Sequence, residues 1–201
     1  GDTYFGAKGG HFDSDNSITQ GESGSEYRMH RKAPPKHEYL KTKDIVGIPW
    51  MFAVAMQKDG WYLRQDIIWH KPVPMPEAVN DRFQKSHEHI FLFSIKKNYY
   101  FDTEAVSLPK KEGDGWVRRH DVWDIPTTNF QGAHFAVFPQ KLPELCMKAS
   151  TKENDTVLDP FLGSGTTAYV AQRLGRKWVG IELNPEYAKI IRKRTAQKEL
   201  F

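Results

Sequence analysis

Cysteine is nearly absent. One residue, Cys146, among 201 excludes an intrachain disulfide framework, so stability must come from a packed core. Its setting, Leu142-Pro143-Glu144-Leu145-Cys146-Met147, is apolar and suits a buried thiol better than a reactive one. Long hydrophobic runs are missing too: no stretch approaches the roughly eighteen apolar residues that cross a bilayer. The amino terminus is polar and glycine-rich rather than basic and then apolar. Both features lead us to expect a cytoplasmic protein with no membrane partner. Nor is there a strong charge bias, since 29 basic against 25 acidic side chains leave a net charge of +4. A pI near 9.0 still tilts the surface toward anionic partners such as nucleic acid.

What is present begins with a hydrophobic content of 39%, enough for one substantial core. Residues 1–43 carry Gly9-Gly10, Asp13-Ser14-Asp15-Asn16-Ser17 and Pro34-Pro35 without apolar periodicity and read as a loop region. Asp44 to Gln57 is apolar almost all round and predicts a largely buried helix, with Thr42 or Asp44 as its cap and Pro49 confined to the first turn. Trp61 to Lys71, His89 to Ser94 and Asn98 to Phe101 predict strands at an antiparallel edge. From Ser107 to Gly132 the chain is polar, with Lys110, Lys111, Arg118, Arg119 and His120 interleaved with Trp116 and Trp123. That mixture suits phosphate contact and base stacking, and equally an ordinary solvated loop. Phe138 to Ala149, opened by Pro139, predicts an amphipathic helix.

The last fifty residues hold the most specific pattern. Thr156-Val157-Leu158-Asp159-Pro160-Phe161-Leu162-Gly163-Ser164-Gly165-Thr166-Thr167 leads into a helix through Leu174 and then the strand Lys177 to Leu183. Strand, glycine turn, helix and a second strand ending in Glu182 make a nucleoside-binding half-sheet. The glycines let bare peptide amides approach a ligand, and the acid can accept both hydroxyls of a ribose. Gly163-x-Gly165-x-x-Ala168 also satisfies a dinucleotide fingerprint, but too little chain follows Glu182 for the second mononucleotide half that a nicotinamide or flavin oxidoreductase needs. His87-Glu88-His89 could place two imidazoles on one strand face, yet no third metal ligand is evident.

Asp159 to Thr167 together with Gly180-Ile181-Glu182-Leu183-Asn184-Pro185-Glu186-Tyr187 closely resembles the cofactor motifs of DNA amino-methyltransferases, which act on adenine N6 or cytosine N4. His134-Phe135-Ala136-Val137-Phe138-Pro139 resembles the family segment before the first cofactor strand, and the likeness covers nearly the whole chain. The resemblance implies an α/β chain with an incomplete Rossmann-like S-adenosylmethionine-dependent methyltransferase fold, a mixed sheet with antiparallel edge strands. One partial methyltransferase domain, 1–201, would comprise a loop region 1–43, a core helix and edge strands 44–101, a target-recognition segment 102–133 and a cofactor-binding half 134–201. S-adenosylmethionine is the implied cofactor. Asp159, Phe161, Gly163, Gly165 and Thr166 would surround its amino-acid end, Phe138 and Pro139 would close over it, Glu182 would hold the ribose, and Leu183 and Asn184 would border the adenine. Lys110, Lys111, Arg118, Arg119 and His120 are the implied contacts to double-stranded DNA. The motif order fits the subclass whose catalytic motif precedes the cofactor motif, and the likeness points to a bacterial or phage-encoded protein.

The family's catalytic tetrapeptide, Asp, Ser or Asn followed by Pro-Pro and an aromatic, does not occur. The only Pro-Pro is flanked by Ala33 and Lys36, which can neither accept the target amino group's hydrogen bond nor stack on an extruded base. No catalytic residue is therefore assigned. By the resemblance that motif and two central strands would lie upstream of residue 1, on an amino-terminal half or a second chain. A degenerate module that binds DNA or a partner remains the alternative. Carbon-5 cytosine chemistry is disfavoured, because Cys146 lacks the Pro-Cys setting of that nucleophile.

Overall fold

The computed structural model describes Tyr4, residues 37–128 and residues 138–196, in two units, Gly1–Asp59 and Gly60–Phe201. This boundary falls inside the expected 44–101 block. In the first unit Tyr4 and Ile45 form an isolated antiparallel bridge, followed by helix α1 (Ile48–Lys58). The expected cap is replaced: Asp44 accepts the Lys41 N–H in a preceding turn (2.8 Å), and Gly47, at φ 80°, takes the N-cap position. Pro49 does sit in the first turn, where its missing N–H costs nothing. The expectation of a buried helix is corrected as well. Of its own residues α1 buries only Ala53, whereas Trp50, Met51, Phe52 and Val54 are exposed.

The second unit starts with strand β1 (Tyr62–His70), antiparallel to β2 (His87–Ser94), with a bulge between Leu63 and Gln65. A short hairpin follows, β3 (Leu108–Pro109) and β4 (Trp116–Val117), then β5 (Val122–Asp124), parallel to β1. The sheet order is β2-β1-β5, a mixed sheet. Asn98 to Phe101, expected as a strand, forms a turn and irregular chain instead, since no described partner offers it a ladder.

Helix α2 (Lys141–Ser150) then leads to β6 (Thr156–Asp159), α3 (Thr166–Arg173), β7 (Lys177–Gly180) and α4 (Pro185–Ala196). Strands β6 and β7 are parallel and form a separate pair. Helix α2 joins the two sheets through two of its sides. Leu142 and Leu145, three apart and so on one face, enter a core with Ile67, Trp69, Val106, Trp123 and Ile125. Met147 packs with Val170 and Ala171 of α3 in a second core that Val157 and Trp178 extend. The two indoles of the first core also find acceptors: Trp69 Nε1 donates to the Ile125 carbonyl (2.7 Å) and Trp123 Nε1 to that of His120 (2.9 Å). A third cluster, Leu162, Ala168 and Ile191, seats α4 against the start of α3.

Candidate cofactor site

Two parallel strands joined through a helix place the carboxyl ends of both at one rim. At that rim Asp159, the last residue of β6, closes the turn behind it. Its Oδ1 accepts the Phe161 N–H (2.9 Å) and its Oδ2 the Thr167 hydroxyl (2.6 Å). The chain turns at Gly163 and Gly165, with φ of 52° and 83°, in the left-handed region that favours glycine. Gly165 has a second constraint, because a Cβ there would lie 3.0 Å from Ile191 Cγ1.

Glu182 reaches this hinge from beyond β7. Its Oε2 accepts the Gly163 N–H and its Oε1 the Asn184 N–H, both at 2.8 Å. The hinge is further pinned by backbone bonds from Leu162 N–H to the Ile181 carbonyl (2.9 Å) and from Ile181 N–H to that of Asp159 (3.0 Å). Leu162 in turn rests on Gly180, where a Cβ would meet its Cδ2 at 2.3 Å. The glycine in Gly180-Ile181-Glu182 thus makes room for the hinge. Asn184 caps α4, its Oδ1 accepting the Glu186 N–H at 3.0 Å, with Pro185 at the first helical position.

Phe138, Pro139 and Thr166 line one cavity of about 520 Å³, together with Asp124, Lys141 and Arg194. The structure therefore brings the segment before α2 to the start of α3, and separately brings Glu182 to Gly163. Phe161 and Leu183, at 88% and 95% exposure, stand open to solvent on the residues flanking the hinge and the acid. His134 to Val137 lie outside the described residues.

The pattern gives no hint of Arg194. Its Nη1 donates to the Ser164 carbonyl (2.9 Å) and hydroxyl (3.0 Å) and lies 3.4 Å from Thr166 Oγ1, and its guanidinium carbon sits 5.7 Å from the Tyr169 ring centroid. Burial lowers its pKa, an effect that Tyr169 opposes, but a guanidinium starting so high stays cationic. Nothing in a helical run such as Arg192-Lys193-Arg194 marks which cation turns inward.

The expected DNA contacts separate into two groups. Lys110 and Lys111 are exposed at the β3–β4 hairpin, where the Lys110 stem packs near Gly115. Arg118, Arg119 and His120 border another cavity, of about 660 Å³, with Phe91, Phe93 and Cys146. Arg119 is partly committed to the scaffold, its Nε donating to the Val106 carbonyl (3.0 Å). Of the two interleaved tryptophans only Trp116 is exposed, whereas Trp123 belongs to the core. The Cys146 thiol packs against that core, and burial pushes its pKa up to about 11. His87 and His89 do share a face (5.5 Å between rings), but His89 Nδ1 contacts Asp66 (3.0 Å) and Glu88 pairs with Lys71. Among the described residues no group of three or more His, Cys, Asp and Glu could hold a metal, and no described helix is long and apolar enough to cross a membrane.

Residues 15–193 match the family model N6_N4_Mtase, described as DNA methylase. The chain belongs to this DNA methylase family. It is 54% identical over 157 residues to the type II methyltransferase M.Cfr9I of Citrobacter freundii, covering 78% of this chain and 52% of that protein. To M.SmaI of Serratia marcescens it is 49% identical over 166 residues, covering 82% and 57%. The chain thus spans about half the length of the curated relatives it matches. Among solved structures it is similar to the PvuII cytosine-N4-specific DNA methyltransferase, with TM-score 0.67, 26% identity and coverage of 81% of this chain and 62% of that one. The M1.HpyAVI-SAM complex is similar too, with TM-score 0.58, 29% identity and coverage of 75% and 70%. The α/β architecture, with its mixed sheet, fits an incomplete Rossmann-like methyltransferase fold, of which this chain matches 62% and 70% of the two neighbours' lengths.

Proposed function

We propose that this chain carries the S-adenosylmethionine pocket of a site-specific DNA amino-methyltransferase whose target is the exocyclic amino group of adenine or cytosine. The observation that carries the reading is the contact of the Glu182 carboxylate with the Gly163 amide at 2.8 Å, at the shared rim of two parallel strands. The residues fit the ligand chemically. Each Glu182 oxygen accepts one peptide N–H, and a carboxylate oxygen has a second lone pair for a ribose hydroxyl. Exposed Leu183 offers an apolar flank to the adenine beside the Asn184 amide, and exposed Phe161 borders the amino-acid end. Asp159 provides the negative charge for the amino group, while Gly163, Gly165 and Thr166 line the approach and Phe138 and Pro139 close the methionine end. When bound, the cofactor supplies an electrophilic methyl group on a sulfonium. The chain's part is to bind and orient it and to keep the reacting centre dry.

Double-stranded DNA is the proposed partner. Exposed Lys110, Lys111, Arg118 and His120, together with Arg119, would meet phosphates, and Trp116 a base or sugar. A cytoplasmic setting in a bacterium or phage suits the type II relatives. The acceptor motif for the amino group is not among these 201 residues, so we expect no methyl transfer by this chain alone, and a further segment or second chain has to supply it. Residues Ile90 to Phe93 all border the larger cavity.

The test is isothermal titration of the 201-residue chain with S-adenosylmethionine. Saturable binding that Glu182→Ala weakens at least tenfold is expected; binding indifferent to that substitution, or none, overturns the reading. Transfer of a labelled methyl group to DNA by the purified chain alone would overturn the claim that another segment is required.

A further inference from the structure

Chemistry on an exocyclic amino group needs the target nucleotide out of its stack, and the duplex it leaves has to be held open beside the cofactor. Strand β1 ends at His70, level with Asp124, the last residue of the parallel β5, and His70 Nδ1 lies 2.6 Å from Asp124 Oδ1. Asp124 borders the cavity that Phe138, Pro139 and Thr166 also line. The connection from β1 to β2, residues 71–86, therefore leaves the sheet beside that cavity. It is long, but its backbone is tied down. The Lys71 N–H donates to the Ser86 carbonyl at its base (2.7 Å), Gln84 Nε2 donates to the Met75 carbonyl (3.0 Å), and Arg82 pairs with Glu77 (2.6 Å). Pro72, Pro74 and Pro76 each fix one further backbone angle.

On this frame Phe83 is 98% exposed, the most open large apolar side chain among the described residues, and Val73 and Met75 are exposed with it. Two of the loop's cations, Lys71 and Arg82, are engaged with Glu88 and Glu77, so the surface that the loop presents is mainly apolar. Such a tip suits the gap between base pairs better than a row of phosphates, because a ring or alkyl side chain there replaces lost stacking. We propose that Phe83 is a wedge that enters the duplex next to the extruded nucleotide, an inference that rests on the reading of double-stranded DNA as the partner. It touches no reacting atom and acts as a positioning residue. A side chain that fills a gap in the stack binds better where the gap already exists, since no stacking has to be broken first. One that only touches the outer surface of the duplex has no such preference.

The experiment is fluorescence anisotropy of the 201-residue chain at low salt with two duplexes of the same random-sequence pool, one intact and one carrying a single abasic site. Wild type, Phe83→Ala and Phe83→Trp are compared, with circular dichroism melts of all three. Wild type is expected to favour the abasic duplex at least fivefold. Phe83→Ala should abolish that preference with little change in melting temperature, and Phe83→Trp should keep it. Equal affinity of wild type for the two duplexes overturns the inference without any variant having to fold. So does a Phe83→Ala chain that binds both duplexes more weakly in the same proportion, which would make Phe83 an ordinary surface contact, or one that melts far lower, which would place it in a core. A Phe83→Ala chain that keeps the preference and shows a smaller light-scattering mass would assign the loop to contact between protein copies and overturn the inference as well. Absence of wild-type binding to either duplex is a separate outcome, which sinks the DNA reading and this inference with it.

Discussion

At the scale of single residues, the hinge depends on a missing side chain. Leu162 occupies the space above Gly180, and a Cβ at 180 would sit 3.0 Å from its Cγ and 3.2 Å from its Cβ as well. Leu162 is buried and cannot swing aside freely. Gly180→Ala should therefore lower stability by about 1–3 kcal/mol, the usual cost of overpacking, as read by urea melts. Leu162→Ala opens the same space, so the double variant should be less destabilised than the sum of the single ones, and strict additivity would refute the contact. Cys146 permits a second residue-scale prediction. With its pKa near 11, its thiolate fraction at pH 8 is roughly 240-fold below that of a free thiol near 8.5. Reaction with a disulfide reagent should be at least about a hundredfold slower in the folded protein than in urea; comparable rates would show an accessible, ionised thiol.

At the scale of elements, Glu144 ties α2 to α3. Its Oε1 accepts from Lys148 (2.8 Å), and Arg173 of α3 lies 3.4 Å from its Oε2. Burial alone would raise its pKa, but the hydrogen bond from Lys148 and the charge of Lys141 outweigh burial, and the net shift is downward from 4.5. A carboxyl depressed on folding contributes stability above its unfolded pKa and loses it as pH falls through the folded value. Glu144→Gln should thus cost about 0.5–1 kcal/mol at pH 7, discounted for solvent screening, and almost nothing at pH 3. A penalty that persists at pH 3 would contradict the charge-based account. These elements also show what a sequence discloses. The hinge and the acid at 182 are legible because a strand, a glycine turn and a helix are local, and their meaning lies in spacing. Arg194 is not, because its contacts to Ser164 and Thr166 join residues about thirty positions apart, and only the packing of Ile191 on Leu162 and Ala168 selects that face of α4. Trp116 and Trp123 look alike in a basic, aromatic stretch, yet the parallel pairing of β5 with β1 carries one indole into the core. For α1 the pattern gives the helix but not its surroundings: an apolar stripe on every side states a need for cover, which the helix's own residues cannot meet.

At the scale of the whole molecule, what stands out is sheet surface that the described residues leave uncovered. In the β6–β7 pair Val157 and Trp178 face the helices, and alternation turns Leu158 and Val179, at 62% and 53% exposure, to the opposite face. Parallel strands are normally covered on both faces, and among the described residues no third strand pairs with either edge of β6–β7, which leaves edge amides and carbonyls for pairing. An apolar face beside open edges drives association when the chain is alone. We therefore predict that the purified chain self-associates at about 50 μM, read as a light-scattering mass above the 23.2 kDa of one chain. The double substitution Leu158→Lys and Val179→Lys should return the mass toward that of one chain. Because both side chains are already exposed, it should shift the melting temperature by no more than about 2 °C, within the range of ordinary surface changes. A wild-type chain that stays monomeric at that concentration would mean that the open face is not sticky. A variant that melts far lower would mean instead that Leu158 and Val179 are part of the core.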